Sequence, residues 1–152
     1  MDQKSSAFRK QNYLGKQYFM EVKLPLDVTF LHDLRLMVWR PRGIVNEKVV
    51  NEVLQFMGKE EVASDKPFNR FTDASLVESG DLNFRYVFHI SLFRRLSYVG
   101  WPVKSAILVT GEDFGHYSKL HQILTQGSSI QVRIFQERTA TAKWLGVSLE
   151  AL

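Results

Sequence analysis

Residues 71–81 read FTDASLVESGD, and the fold turns on where the strand in this stretch stops and the next helix starts. Aromatic and β-branched residues run through FNRFTDASLV (68–77), the composition of a strand bounded by polar segments. ESGD (78–81) then reads as the loop that opens a helix, with Asp81 at the N-cap position. A strand that ends in small polar residues and feeds a helix is where α/β proteins usually hold their working groups. That makes Asp73, Ser75 and Ser79 candidate binding residues.

Downstream, LNFRYVFHISLFRRLSYV (82–99) carries two signals. Phe84, Tyr86, Phe88, Ile90 and Leu92 alternate with polar residues, as in a strand. The length, Asp81 before it and Gly100-Trp101-Pro102 after it favour a helix, which is the reading taken here. As a helix it has two apolar stripes, Phe84–Phe88–Leu92 and Val87–Ile90, with Arg85, Arg94 and Arg95 between or below them. VKSAILVT (103–110) is near-continuously apolar, as in the middle of a parallel sheet. Helix 112–124 follows, with Phe114, Tyr117, Leu120, Ile123 and Leu124 on its buried side. Then come strand 129–136 and helix 137–146, with Ala140, Trp144 and Leu145 inward and Gly146 as C-cap.

Upstream, β-rich runs at 27–31 and 34–40 pair as a hairpin around His32-Asp33, and Pro41 and Gly43 stop the second run. Asn46 caps a helix whose apolar face is Val49, Val50, Val53, Leu54 and Met57 and whose end is marked by Gly58. KEEVASDKP (59–67) reads as a polar connection. Tyr18–Val22 reads either as a short strand or as part of an N-terminal arm. After the hairpin, helices and strands alternate, which predicts an α/β sheet with parallel later strands.

The chain has 152 residues, 45% of them hydrophobic and 24% charged, a balance that suits one globular domain. There is no cysteine, which excludes a disulfide scaffold, a thiolate metal site and a cysteine nucleophile and suits a reducing cytoplasm. The formal charge is +4, but Lys4, Arg9, Lys10 and Lys16 against Asp2 put +3 of it in residues 1–16. The reading is a flexible basic arm over 1–16 and a near-neutral domain over 17–152, which argues against nucleic acid as a partner. No apolar run approaches the roughly 20 residues of a membrane span. The expected location is cytoplasmic, with contact to a membrane surface as the peripheral alternative.

Three pieces in order carry a resemblance: FNRFTDAS before a helix, PVKSAILVT before the helix around GHYSKLHQIL, and IQVRIFQERTATAKWLGV at the end. Over roughly residues 18–147 the chain resembles the SpoIIAA-like group of the STAS superfamily (sulfate transporter and anti-sigma factor antagonist domains). The resemblance implies a small α/β domain with a four- to five-stranded, mostly parallel sheet and helices mainly on one face. The implied activity is protein binding or ligand sensing rather than catalysis. It also implies a phospho-acceptor serine opening the helix after the Asp-containing strand. Asp73 matches the strand-end Asp, and Ser79-Gly80 is the nearby Ser-Gly pair, at shorter spacing. A phosphate on Ser79 would sit between Glu78 and Asp81, which offsets the attraction of a helix N-terminus for anions. The residues themselves read more simply as a loop followed by an Asp81 cap.

No nucleophile elbow, phosphate-binding loop or dinucleotide fingerprint occurs. His32, His89, His116 and His121 lack metal-ligand spacing and read as surface or capping histidines. Arg40 and Arg42 beside Trp39 read as a solvated strand end. No metal and no cofactor are implied. The unusual feature is helix 82–99, whose Phe84, Phe88 and Leu92 exceed what one core accepts together with Val87 and Ile90. The expected function is a non-enzymatic regulatory or binding module whose surface joins Asp73, Ser75 and Ser79 to Phe84, Arg85, Phe88, Leu92, Arg94 and Arg95. Its partner would be a second copy of the chain or another protein. The alternative is a peripheral membrane, lipid or apolar small-molecule site on the same helix, aided by Arg85, Arg94 and Arg95.

Overall fold

Strand β1 (Val28–Leu31) and strand β2 (Leu36–Trp39) form the expected antiparallel hairpin, joined by a single 3-10 turn over His32–Leu34. Arg35 closes that turn in the left-handed region at φ 50°. The structure, a computed structural model, describes residues 27–98 and 100–152. The expected arm over 1–16 and the segment Tyr18–Val22 lie outside the described residues. All four residues of β2 are buried, because the strand has a core on each face.

Strand β2 ends at Trp39, before Pro41, but Gly43 stops nothing: the chain forms a further strand, β3 (Arg42–Asn46), that contains it. Helix α1 (Glu47–Ser64) follows, and the Asn46 side chain accepts from the Val49 amide at 3.0 Å, as expected of the cap. The helix runs through Gly58 and takes in most of the segment read as a connection. Gly58 is exposed, so its missing side chain costs the helix only backbone entropy.

Strand β4 (Asn69–Asp73) stops at Asp73, and Leu76–Asp81 is a separate strand, β5, parallel to β3 in a two-stranded sheet. The pairing carries a bulge between Gly43 and Ile44, where Gly43 adopts φ 73°. The expected single strand over 68–77 and the loop at ESGD are therefore corrected. Ser79 sits within β5 opposite Ile44. Gly80 is needed because a Cβ there would lie 3.1 Å from the Tyr117 ring.

Helix α2 (Phe84–Ser97) starts three residues beyond the expected Asp81 cap, and Asn83 fills that role by accepting from the Tyr86 amide at 2.8 Å. Strand β6 (Val103–Leu108), helix α3 (Glu112–Leu124), strand β7 (Ile130–Phe135) and helix α4 (Arg138–Leu145) complete the alternation. Gly146 caps α4 at φ 75°. The main sheet has the order β1-β2-β4-β6-β7, and every pair after the hairpin is parallel.

The core lies in two layers. On one face Met37, Trp39, Ile107 and Val132 meet Val53 and Met57 of α1 and Phe114 of α3. On the other, Leu36, Val38, Phe71 and Leu108 meet Ala142 and Leu145 of α4 and the buried Leu152. Thr141 and Ala142, rather than Ala140, turn inward from α4. Helices α1, α2 and α3 thus cover one face, and α4 covers the other.

Candidate functional site

The strand end that the sequence singles out is built but occupied. Asp73 Oδ1 accepts from the Ser75 amide at 3.0 Å and its hydroxyl at 2.6 Å. Oδ2 accepts from Arg40 at 3.1 Å and from Arg138. Burial works to raise the Asp73 pKa, but the Ser75 hydrogen bonds and the Arg138 ion pair outweigh it and hold the carboxyl below its ordinary value. Arg40 also reaches the Leu152 carbonyl, and Arg42 pairs with Asp27 at 3.1 Å. These groups tie β2, β4 and α4 together. Ser79 is half-buried in β5, so the helix start that would favour a phosphate is not at this serine.

The residues expected to share the 82–99 surface divide between two sides of α2. Phe84, Phe88 and Leu92 are exposed along one stripe, and Arg85 is exposed beside them. Arg95 donates to the Gln126 carbonyl at 2.6 Å, at the end of α3. Arg94, expected on the surface, is only 9% exposed and faces the sheet with Val87 and Ser91. Two of the three cations assigned to a membrane contact are therefore directed elsewhere. Among the described residues, no helix is long and apolar enough to cross a membrane.

Beneath α2 lies a cavity of about 120 Å³ between the sheet and helices α1 to α3. Its walls are mainly apolar, with Met37, Val53, Leu54, Val87, Ile90 and Ile107 among them. Polar groups enter from four elements: Arg70 and Thr72 from β4, Ser105 from β6, Arg94 from α2 and His121 from α3. The Tyr86 hydroxyl bridges one end of the α1–α2 seam through Asn51 Oδ1 at 2.6 Å.

The two guanidinium groups are treated differently. Arg70 is 1% exposed and has a full set of partners. It pairs with Glu61 at 3.2 Å, donates to the Phe68 carbonyl at 2.7 Å and reaches the Tyr98 hydroxyl. Tyr98 in turn donates to Glu61 at 3.0 Å. Arg94 has neutral partners alone: His121 Nε2 at 2.9 Å and Ser105 Oγ at 3.4 Å, with its Nε unpartnered. Among the described residues no carboxylate stands within ion-pair distance of it. Burial, and then the charge of Arg70, lower the Arg94 pKa to about 9, which leaves it cationic at neutral pH.

The same contacts define the state of His121. Arginine only donates, so Nε2 of His121 accepts and Nδ1 carries the proton, donated to Ser91 Oγ at 2.7 Å. Burial, then the charges of Arg94 and Arg70, hold the imidazole well below its ordinary pKa, so it is neutral. Its buried position corrects the surface reading. Helix α3 turns Phe114, Ser118, His121 and Thr125 inward, while Ile123 points to solvent. Ser118 and Thr125 satisfy their hydroxyls on the carbonyls four residues back, at 2.8 Å each. The buried faces of α2 and α3 are thus partly polar: apolar periodicity places Val87, Ile90, Phe114 and Tyr117 on the inner side but does not point to Ser91, Arg94, Ser118 and His121 beside them.

No protein-family model matches the chain, and no curated protein matches it. Among solved structures, it is similar to an uncharacterised protein of the DUF3478 family with a SpoIIAA-like fold, from Shewanella loihica PV-4. The identity is 13%, 72% of this chain and 83% of that chain are covered, and the TM-score is 0.50. At that identity the likeness speaks to architecture alone. Together with the mixed, mostly parallel five-stranded sheet, with three helices on one face and α4 on the other, it gives this chain a SpoIIAA-like α/β fold.

Proposed function

We propose that the protein is a non-enzymatic binding module that holds a small, mainly apolar molecule in the cavity beneath α2. One observation carries this reading: a half-open, mainly apolar cavity of about 120 Å³ lies between the sheet and helices α1 to α3. Covering the apolar walls of such a cavity with a ligand of matching shape removes them from water, which favours binding. The volume approaches the roughly 150 Å³ that accommodates benzene in an engineered cavity elsewhere. The polar groups at its wall are of the kind that orient a ligand inside an otherwise apolar site.

Helix α2 links this site to the surface. Its inner side lines the cavity, and its outer side presents Phe84, Phe88 and Leu92. An occupant that shifts α2 would change a surface suited to an apolar protein partner. This favours a regulatory role in which the ligand controls a protein contact.

Titration with 1-hexanol, followed by the methyl resonances of Val53, Val87 and Ile107, tests the reading. Saturable shifts confined to the cavity residues, and their loss in Val53→Phe, are expected. Shifts spread over the surface, or none, would rule the cavity out as a binding site.

A further inference from the structure

Two buried guanidinium groups reach this cavity, and the described carboxylate at ion-pair distance, Glu61, is taken by Arg70. Arg94 is left nine-tenths buried beside a neutral histidine and a serine hydroxyl, with a donor unused. Among the described residues Arg94 has no carboxylate at ion-pair distance, although the charge of Glu61 still favours its cationic form, and a buried cation is ordinarily paired directly. The missing partner has to be an anion that tolerates apolar walls.

We infer that the ligand is an apolar monocarboxylic acid whose carboxylate pairs with Arg94 and whose hydrocarbon body fills the space between α1 and α2. This rests on the cavity being a ligand site and adds the chemistry that selects the occupant. A carboxylate oxygen suits the site because Arg94 Nε has no partner among the described residues, while Nη1 holds His121 and Nη2 reaches Ser105 at 3.4 Å. Arg70 is already committed to Glu61 and the Phe68 carbonyl, so of the two guanidinium groups at the wall Arg94 is the one left to pair with an anion. The neutral His121, held by Ser91, fixes Arg94 in place without cancelling its charge.

The test compares hexanoate with 1-hexanol at pH 7, with the Arg94 Nε–H resonance and the cavity methyls as readouts. Hexanoate is expected to bind roughly tenfold or more tightly than hexanol, the gain of a charge-assisted hydrogen bond. It should also move the Arg94 Nε–H signal. In Arg94→Met that preference should disappear while hexanol still enters. Equal or tighter binding of hexanol by the unaltered protein would overturn the acid assignment and leave the cavity reading standing. Hexanoate shifts that map to the exposed Arg85 instead of the cavity would also overturn it. If neither compound enters, the cavity reading fails and this inference with it. The unaltered protein decides among these outcomes even if Arg94→Met does not fold.

Discussion

Glu61 shows at the scale of one residue how closely the buried charges are balanced. Its carboxylate accepts from Arg70, from the Tyr98 hydroxyl and from the Phe68 amide at 2.7 Å. Removing its charge in Glu61→Gln leaves Arg70 and Arg94 facing each other inside the core. The substitution should cost about 3–5 kcal/mol in urea unfolding, the usual consequence of stranding a buried charge. His121 makes a pH-dependent contribution whose sign follows from its depressed pKa. Below about pH 6.5 the unfolded chain takes up a proton at this position that the native protein refuses. Stability should therefore fall as pH drops from 7.5 to 5, a window that lies above the titration of Asp73. His121→Gln, whose amide can accept from Arg94 and donate to Ser91, should flatten that slope. An unchanged slope would mean that other groups set it.

At the scale of elements, much was legible in the sequence. The hairpin, the Asn46 cap, the apolar β6 and the Gly146 cap all follow from local patterns that the structure keeps. The strand β5 was not legible, because LVESGD has the small and polar residues of a loop and pairs with β3 only after the chain has folded. The extension of α1 past Gly58 was missed for a related reason, since an exposed glycine inside a helix looks like its end. The cavity's polar groups were hidden because α2 and α3 bury Ser91, Arg94, Ser118 and His121, while Phe84, Phe88 and Leu92 stay outside. Helix α2 should accordingly respond to substitution by side. Phe88→Ser and Leu92→Ser should change stability by no more than about 0.5 kcal/mol each. Val87→Ser, on the inner face, should cost about 2 kcal/mol or more. Thermal unfolding of the three variants would show this, and a costly Phe88→Ser would mean that the outer face is already covered.

The whole molecule is a sheet with a filled layer on one side and an incompletely filled layer on the other. Helix α4, Phe71, Ala106 and Leu108 close the first layer, and the ion pairs of Asp73 with Arg40 and Arg138 fasten the strand ends beside it. The second layer contains the cavity, a guanidinium with no carboxylate partner among the described residues, and a helix whose outer face carries Phe84, Phe88 and Leu92. The proposed ligand site would account for an Arg94 that, among the described residues, has no carboxylate at ion-pair distance. A purely structural arginine would be expected to have the full set of partners seen at Arg70. The most direct measurement is a crystal structure of the protein grown with hexanoate. Density for the acid within the cavity, with its carboxylate in hydrogen-bond contact with Arg94, is the predicted result. A cavity closed by neighbouring side chains, with Arg94 paired to a carboxylate of the chain itself, would contradict it.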